Sequence, residues 1–363
     1  MKMVTDLKLP TIGMIGSHSA EEIGVAARAN GFRTVVVCQR GRERLYSHYN
    51  KHLYDHIIVL DRFKDILNGE IQERLEELDT IWIPNRSFSV YVGYDEIERN
   101  FKIPIYGNRM LLRVEERNAP KNQYWLLNKS GIRIPRVFEP DEINALVIVK
   151  VQQREKPLER AFFFASSPSE FETESRSLIN DGAISEESLK TATIEEFVIA
   201  PRFNANFEAY GMNRIFGDLD LVGFDDRVQT GLSGLLGLPA REQLKLKIRV
   251  MNEEVGHKGL TMRESKKPLV YEAAERLLEG IRKYFPPKMI GLFSLQGAIT
   301  EDSEFVVFDL SPRVPGAPCV GPTSPEMRRL SLKYKCEIAS PLDLCMLDIK
   351  SATKENALNE VST

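Results

Sequence analysis

Residues 291–316, GLFSLQGAITEDSEFVVFDLSPRVPG, hold the side chains most suited to chemistry in this chain. Two apolar-rich runs flank the turn-like Glu301, Asp302, Ser303 and Glu304, which reads as a β-hairpin with a four-residue loop. In that register Thr300 faces Phe305, and Gln296 stands opposite Asp309. Phe293, Leu295, Gly297, Ile299, Val306, Phe308 and Leu310 then share one face, and Ser294, Gln296, Asp309, Ser311 and Arg313 the other. An amide oxygen beside a carboxylate is hard-ligand chemistry, suited to Mg²⁺ held between protein and phosphates rather than to a transition metal. Arg313, on the same face, can meet a phosphate. The plainer reading is a half-buried hairpin whose polar face meets water.

A second candidate is the loop Gly16-Ser17-His18-Ser19. It follows a short apolar run at 11–15 and precedes a helical pattern over 20–30 that keeps Ile23, Ala26 and Ala27 on one face. Ser19 and Glu22 have capping-box spacing, and Gly31 suits the helix end. The β-branched run 34–38 completes a strand, helix, strand unit of a parallel sheet. The loop therefore lies at the carboxyl edge of the sheet and at a helix N-terminus, where an anion is favoured. GSHS lacks the spacing of a dinucleotide fingerprint, so a single phosphate is the expected guest. The bland alternative has Ser19 capping its helix while His18 points to solvent. Ser87, in the loop 85–88 after a strand at 80–84, occupies a like position, and a further strand is expected at 103–106. A Ser/His hydrolase built on Ser17, His18 and Ser19 is disfavoured, because adjacent residues rarely place a base on a nucleophile.

Other polar groups sit on later strands. Lys150 closes the apolar strand 145–150 and can reach a phosphate, while Glu195 and Glu196 lie on a strand at 192–199. Strands are expected near 203–210 and 218–224, and a helix over 269–284 that stops at Phe285-Pro286-Pro287. His48, His52 and His56 have helical spacing, but the strand-like run from Asp55 breaks their shared face, so they read as scattered surface histidines.

A chain of 363 residues with 42% hydrophobic content is long enough for two or three domains. Lys plus Arg number 49 against 52 for Asp plus Glu, a net charge of −3, so nothing in the overall charge draws nucleic acid or an anionic membrane. The four cysteines, Cys38, Cys319, Cys336 and Cys345, show no zinc spacing and read as reduced thiols of a cytoplasmic protein. No apolar run approaches a membrane span, and the N-terminus lacks the features of a signal peptide.

The order of a parallel α/β domain, a small domain with a strand-end lysine and a large domain with a polar hairpin resembles the ATP-grasp ligases. The words IGSHSAEEI at 15–23, GF-x-T at 31–34, GEIQERLEEL at 69–78, RSF at 86–88 and GIRIP at 131–135 bring the resemblance closer. So do VIVK at 147–150, IEEFV at 194–198, PAREQL at 239–244, RES at 263–265 and FVVFDLSPR at 305–313. These resemble the archaeal formate-dependent FAICAR synthetase (PurP) family. The resemblance implies an α/β chain with the ATP-grasp fold and an N-terminal Rossmann-like, parallel-sheet pre-ATP-grasp domain. It divides as a substrate-binding domain over 1–117, a small lid over 118–201 and a large subdomain with the metal-binding hairpin over 202–363.

The implied activity is an ATP-dependent carbon–nitrogen ligase: ATP phosphorylates formate to formyl phosphate, which the 5-amino group of AICAR attacks to give FAICAR in purine biosynthesis. By the same resemblance His18, Ser19, Ser87 and His257 contact AICAR, and Lys150, Glu195, Glu196 and Gln229 hold ATP. Gln296 and Asp309 bind Mg²⁺ (or Mn²⁺), and Arg313 and Arg263 assist the transfer. A homo-oligomer is implied as well, with no nucleic-acid or membrane partner. The chain departs from the family where a glycine-rich loop should follow Lys150, since it reads VQQREKPLERAFF, with no glycine and with Arg154, Lys156 and Arg160 as replacement charge. Gln229 replaces a glutamate and His257 an asparagine. These departures raise an alternative, a divergent paralogue that senses nucleotides or joins a different amine and carboxylate.

Overall fold

β-Branched and apolar residues in unbroken runs must be covered on both faces, and the N-terminal strands meet that demand as a parallel sheet. The computed structural model describes residues 8–116, 119–152, 160–229, 231–246, 254–316 and 324–363. Strands β1 (Thr11–Ile15), β2 (Arg33–Gln39), β3 (His56–Leu60) and β4 (Thr80–Trp82) pair in the order β3-β2-β1-β4. β1 is parallel to both β2 and β4, and every one of its residues is buried. Gly13 has no room for a side chain, because a Cβ there would lie 2.6 Å from both Thr80 and Trp82. The helix Ala20–Ala29 buries Ile23, Ala26 and Ala27. Trp82, Phe88 and Phe101 belong to a second apolar cluster with Val35, Val37 and Ile97. The strand expected at 103–106 is reduced to isolated bridges, parallel from Ile105 to Trp82 and antiparallel from Tyr106 to Ser362. Pro104 brings no N–H to a ladder, although its carbonyl accepts from the Trp82 N–H at 2.7 Å.

Contacts divide the chain into two units, one of Met1–Ile132, Arg202–Gly297 and Asp309–Thr363, the other of Arg133–Pro201 and Ala298–Phe308. The smaller unit holds an antiparallel sheet of β5 (Val147–Gln152), β6 (Arg160–Ala165) and β7 (Thr193–Glu196), in the order β6-β5-β7. Val147, Val149, Val151, Phe163, Phe171 and Ile194 form its core. Residues 153–159, with the replacement charges Arg154 and Lys156, lie outside the described residues, as do the domain limit expected at 117/118 and Cys319.

A five-stranded sheet in the larger unit has the order β10-β9-β8-β11-β12: β8 (Arg202–Ala209), β9 (Leu219–Gln229), β10 (Glu254–Leu260), β11 (Gly291–Ile299) and β12 (Phe305–Ser311). The helix Lys267–Tyr284 buries Val270, Ala273, Ala274, Leu277 and Ile281, the amphipathic spacing expected of it. β10 and the helices Pro325–Tyr334 and Pro341–Lys354 are elements the sequence reading left out. No helix among the described residues is long and apolar enough to cross a membrane.

The hairpin turn differs from its expected form. Ser303 adopts φ 62°, its N–H donates to the Thr300 carbonyl at 3.0 Å, and the Thr300 N–H donates to the Glu304 carbonyl at 3.0 Å. Thr300 thus faces Glu304 rather than Phe305, with a left-handed residue closing a shorter loop. An unbroken ladder from this turn places Gln296 opposite Phe308, and Asp309 opposite Leu295. Ala298, Val306 and Phe308, which pack together with Val198, agree with that count.

Candidate active site

The end of β1 turns sharply at Gly16, whose Cβ, if present, would lie 2.7 Å from Cys38 Sγ. Ser19 follows in the left-handed region at φ 67° and makes no side-chain cap to its helix, so the expected capping box does not form. Its hydroxyl donates instead to the Pro315 carbonyl at 3.2 Å. Asn85 secures the same loop by donating to the His18 carbonyl at 2.7 Å, while its Oδ1 caps the helix Arg86–Val92 through the Phe88 N–H. Ser87 therefore sits in the first turn of a helix rather than in a loop, and its hydroxyl donates to Ser17 Oγ at 2.8 Å. Asn85 also forms a bridge with Val314. His18, Ser19, Ser87 and the segment 313–316 thus meet at the carboxyl edge of the parallel sheet.

Arg313 does not project from β12, which ends at Ser311. The side chain is buried; Nη2 donates to Glu115 Oε1 at 2.9 Å and Nη1 to the Val314 carbonyl at 2.9 Å. Glu115 accepts from Arg86 through its other oxygen at 2.9 Å. Two arginines thus share one buried carboxylate, and Arg313 Nε has no hydrogen-bond partner among the described residues. This corrects the expectation that Arg313 lies on the hairpin face; it anchors the segment beside His18 instead.

His257 enters from β10, opposite Arg227 of β9. Its Nδ1 lies 2.6 Å from Asp225 Oδ2 and its Nε2 2.9 Å from Glu254 Oε1. Asp225 is fully buried and also accepts from Asn204 and Asn206, each at 2.6 Å. Burial alone would lower the His257 pKa, but its bonds to Asp225 and Glu254 prevail and raise it to about 9. Glu254 also forms an ion pair with Arg227 at 2.9 Å and lies 3.7 Å from His18 Nε2. Burial would raise the Glu254 carboxyl, but His257 and Arg227 outweigh it and hold the pKa below its ordinary value. His18 is lowered, first by burial and then by Arg313, His257 and Arg227, against the opposing pull of Glu254. The two histidines are thus pushed apart, one toward neutral and one toward charged. Asp225, Glu254, Asn204, Asn206, Glu115 and Arg86 are members that sequence reasoning missed. The polar alternation of RFNANFEA and the acidic pair in FDDR were the available signals.

In the smaller unit Lys150 and the buried Glu195 form an ion pair. β5 and β7 pair with Lys150 beside Thr193 and Ile148 beside Glu195. Glu196 points to other partners, accepting from Arg133 at 3.3 Å and from the Arg136 N–H at 3.2 Å. Adjacent strand residues face opposite ways, so only Glu195 shares the face of Lys150. Gln229 ends β9 beside Glu254, and its N–H donates to Ser233 Oγ at 3.1 Å. Arg263 is exposed at the start of a tight turn, Glu264–Lys266. Gln296 and Asp309 are both half-buried in the hairpin strands.

Comparison with known proteins fits this arrangement. Residues 12–138 match the model of a protein of unknown function (DUF1246), and 170–363 that of a domain of unknown function (DUF1297). The chain is 38% identical over 312 residues to the 5-formaminoimidazole-4-carboxamide-1-(beta)-D-ribofuranosyl 5'-monophosphate synthetase of Methanopyrus kandleri, covering 86% of this chain and 84% of that protein. It is 31% identical to the synthetase of the same name from Methanobrevibacter smithii, over 97% of this chain and 94% of the relative. The chain belongs to the FAICAR synthetase family. Among solved structures it resembles an IMP biosynthesis protein PurP from Thermococcus kodakaraensis, with TM-score 0.69 and 23% identity over 97% of this chain and all of that one. The ADP complex of purK, an N5-carboxyaminoimidazole ribonucleotide synthetase, is matched with TM-score 0.56 and 15% identity over 86% of this chain and 72% of that one. These two likenesses establish the ATP-grasp fold for this member of the FAICAR synthetase family.

Proposed function

We propose that this chain is an ATP-dependent ligase that activates formate as formyl phosphate and transfers the formyl group to the amine of AICAR, giving FAICAR, ADP and phosphate. The observation that carries the reading is the convergence of His18, Ser19, Ser87 and Arg313 at one sheet edge, in a chain aligned along 97% of its length with a synthetase of that product. An alignment of that extent supports the ligase over a sensor that has lost turnover. His18, Ser19, Ser87 and His257 hold the ribonucleotide, the first three carried at the β1 and β4 exits and His257 on β10. Lys150, fixed by Glu195, supplies a cation for ATP phosphates, and Glu196 and Gln229 complete the nucleotide contacts.

The half-buried Gln296 and Asp309 offer hard oxygen donors that fit Mg²⁺ or Mn²⁺, with Asp309 supplying the charge. Such an ion would neutralise phosphoryl charge during transfer. Arg263 and Arg313, whose Nε has no partner among the described residues, are donors for developing negative charge. Keeping water from the acyl phosphate is the remaining demand on the protein. The deciding experiment is ADP release with Mg-ATP, formate and AICAR. Release that requires all three is expected; release indifferent to omission of AICAR and formate refutes the assignment.

A further inference from the structure

Glu254 occupies an unusual place for a strand residue. Its Oε1 lies 2.9 Å from His257 Nε2 and its Oε2 2.9 Å from Arg227 Nε, so two donors grip both oxygens of one carboxylate. His18 Nε2 stands 3.7 Å away on a third side. On the fourth is Gly316, where a Cβ would fall 2.2 Å from His18 Nε2 and 3.4 Å from Glu254 Oε1. Only a residue without a side chain leaves this cradle open.

The two carboxylates around His257 are not equivalent. Asp225 is fully buried, with three donors on it, and cannot leave without stranding a buried charge. The side chain of Glu254 is 29% exposed and belongs to the first described residue of β10, so it can turn to water at little cost. If it does, His257 and Arg227 face a single remaining carboxylate, leaving a net positive cradle of the right span for an oxyanion.

We propose that His18, Arg227 and His257, walled by Gly316, form a receptor for an oxyanion of the substrate, and that the Glu254 carboxylate is its internal occupant, displaced when that substrate binds. This rests on the ligase reading for the choice of oxyanion. A ribonucleotide 5′-phosphate and formate both carry the required chemistry, so both are tested.

Calorimetry on the full chain, with Glu254→Gln and Glu254→Ala, is run against AICAR, its phosphate-free nucleoside and formate. Glu254→Gln keeps the size and an acceptor, which guards against misfolding. A roughly ten-fold tighter AICAR affinity in both variants, with the nucleoside unchanged, is expected. An added Arg227→Ala should cancel the gain. A gain for formate alone supports the receptor and assigns it to the carboxylate. A gain for the nucleoside, or for none of the three, overturns the proposal. If ADP release needs formate and AICAR while no gain appears, the receptor fails and the ligase stands; a gain without such release has the opposite meaning.

Discussion

His257 ties the candidate pocket to stability through its protonation. Its folded pKa, about 9, lies above the unfolded value near 6.5. A raised pKa favours the folded state while the proton is on: the contribution is fully present below about pH 6.5 and is lost as pH rises through about 9. The two-and-a-half-unit gap corresponds to on the order of 3 kcal/mol, and the side chain is only 6% exposed, so solvent screens little of it. Denaturant midpoints measured from pH 6 to 10 should fall through that window in the native protein, and Glu254→Gln should lessen the fall by removing one of the two acceptors. Identical pH slopes in both proteins would contradict the coupling. At this scale the sequence made the placement of His18 and Ser87 near strand exits legible, because strand exits can be read from periodicity. It did not reveal Asp225 joined to Asn204 and Asn206, since those bonds span neighbouring strands about twenty residues apart. Nor did it show that Ser19 would leave its helix uncapped, because that depends on the distant Pro315 carbonyl.

The hairpin is where element-level reading came closest and still slipped. Two strands and a turn were legible from apolar runs around EDSE, and β11 and β12 are there. The turn closes one residue early because Ser303 takes a left-handed conformation that a glycine or asparagine would have announced and a serine does not. Carried unbroken along both strands, that slip would exchange the two faces, and Gln296 and Asp309 would then reach a common ion only through a bulge. Asp309, the only charged member of the pair, carries the metal prediction. Asp309→Asn should abolish Mg²⁺-dependent nucleotide binding while the melting temperature stays within a few degrees, whereas Gln296→Ala should weaken that binding by less. Unchanged affinity for Mg-ATP in Asp309→Asn would remove the hairpin from the site.

At the scale of the whole chain the fold class was legible, because its strands and helices announce their own periodicity. What could not be read is that the small unit is discontinuous, taking residues 298–308 from a hairpin whose base belongs to the larger unit. The division has a functional consequence, since Lys150 and His18 fall in different units, each with its own core. Loss of one should therefore leave the other's ligand untouched. Lys150→Gln should weaken ATP by ten-fold or more and leave AICAR affinity unchanged, and His18→Ala should do the reverse. Glu195 is 2% exposed, so Lys150→Ala would strand a buried carboxylate and confuse lost binding with lost folding. The glutamine keeps a donor near it, and a second variant, Lys150→Gln with Glu195→Gln, removes both charges together. Matching losses of both ligands in Lys150→Gln and in the double variant, with the melting temperature unchanged, would mean that Lys150 does not serve ATP alone, and the assignment of phosphates to the smaller unit would fall.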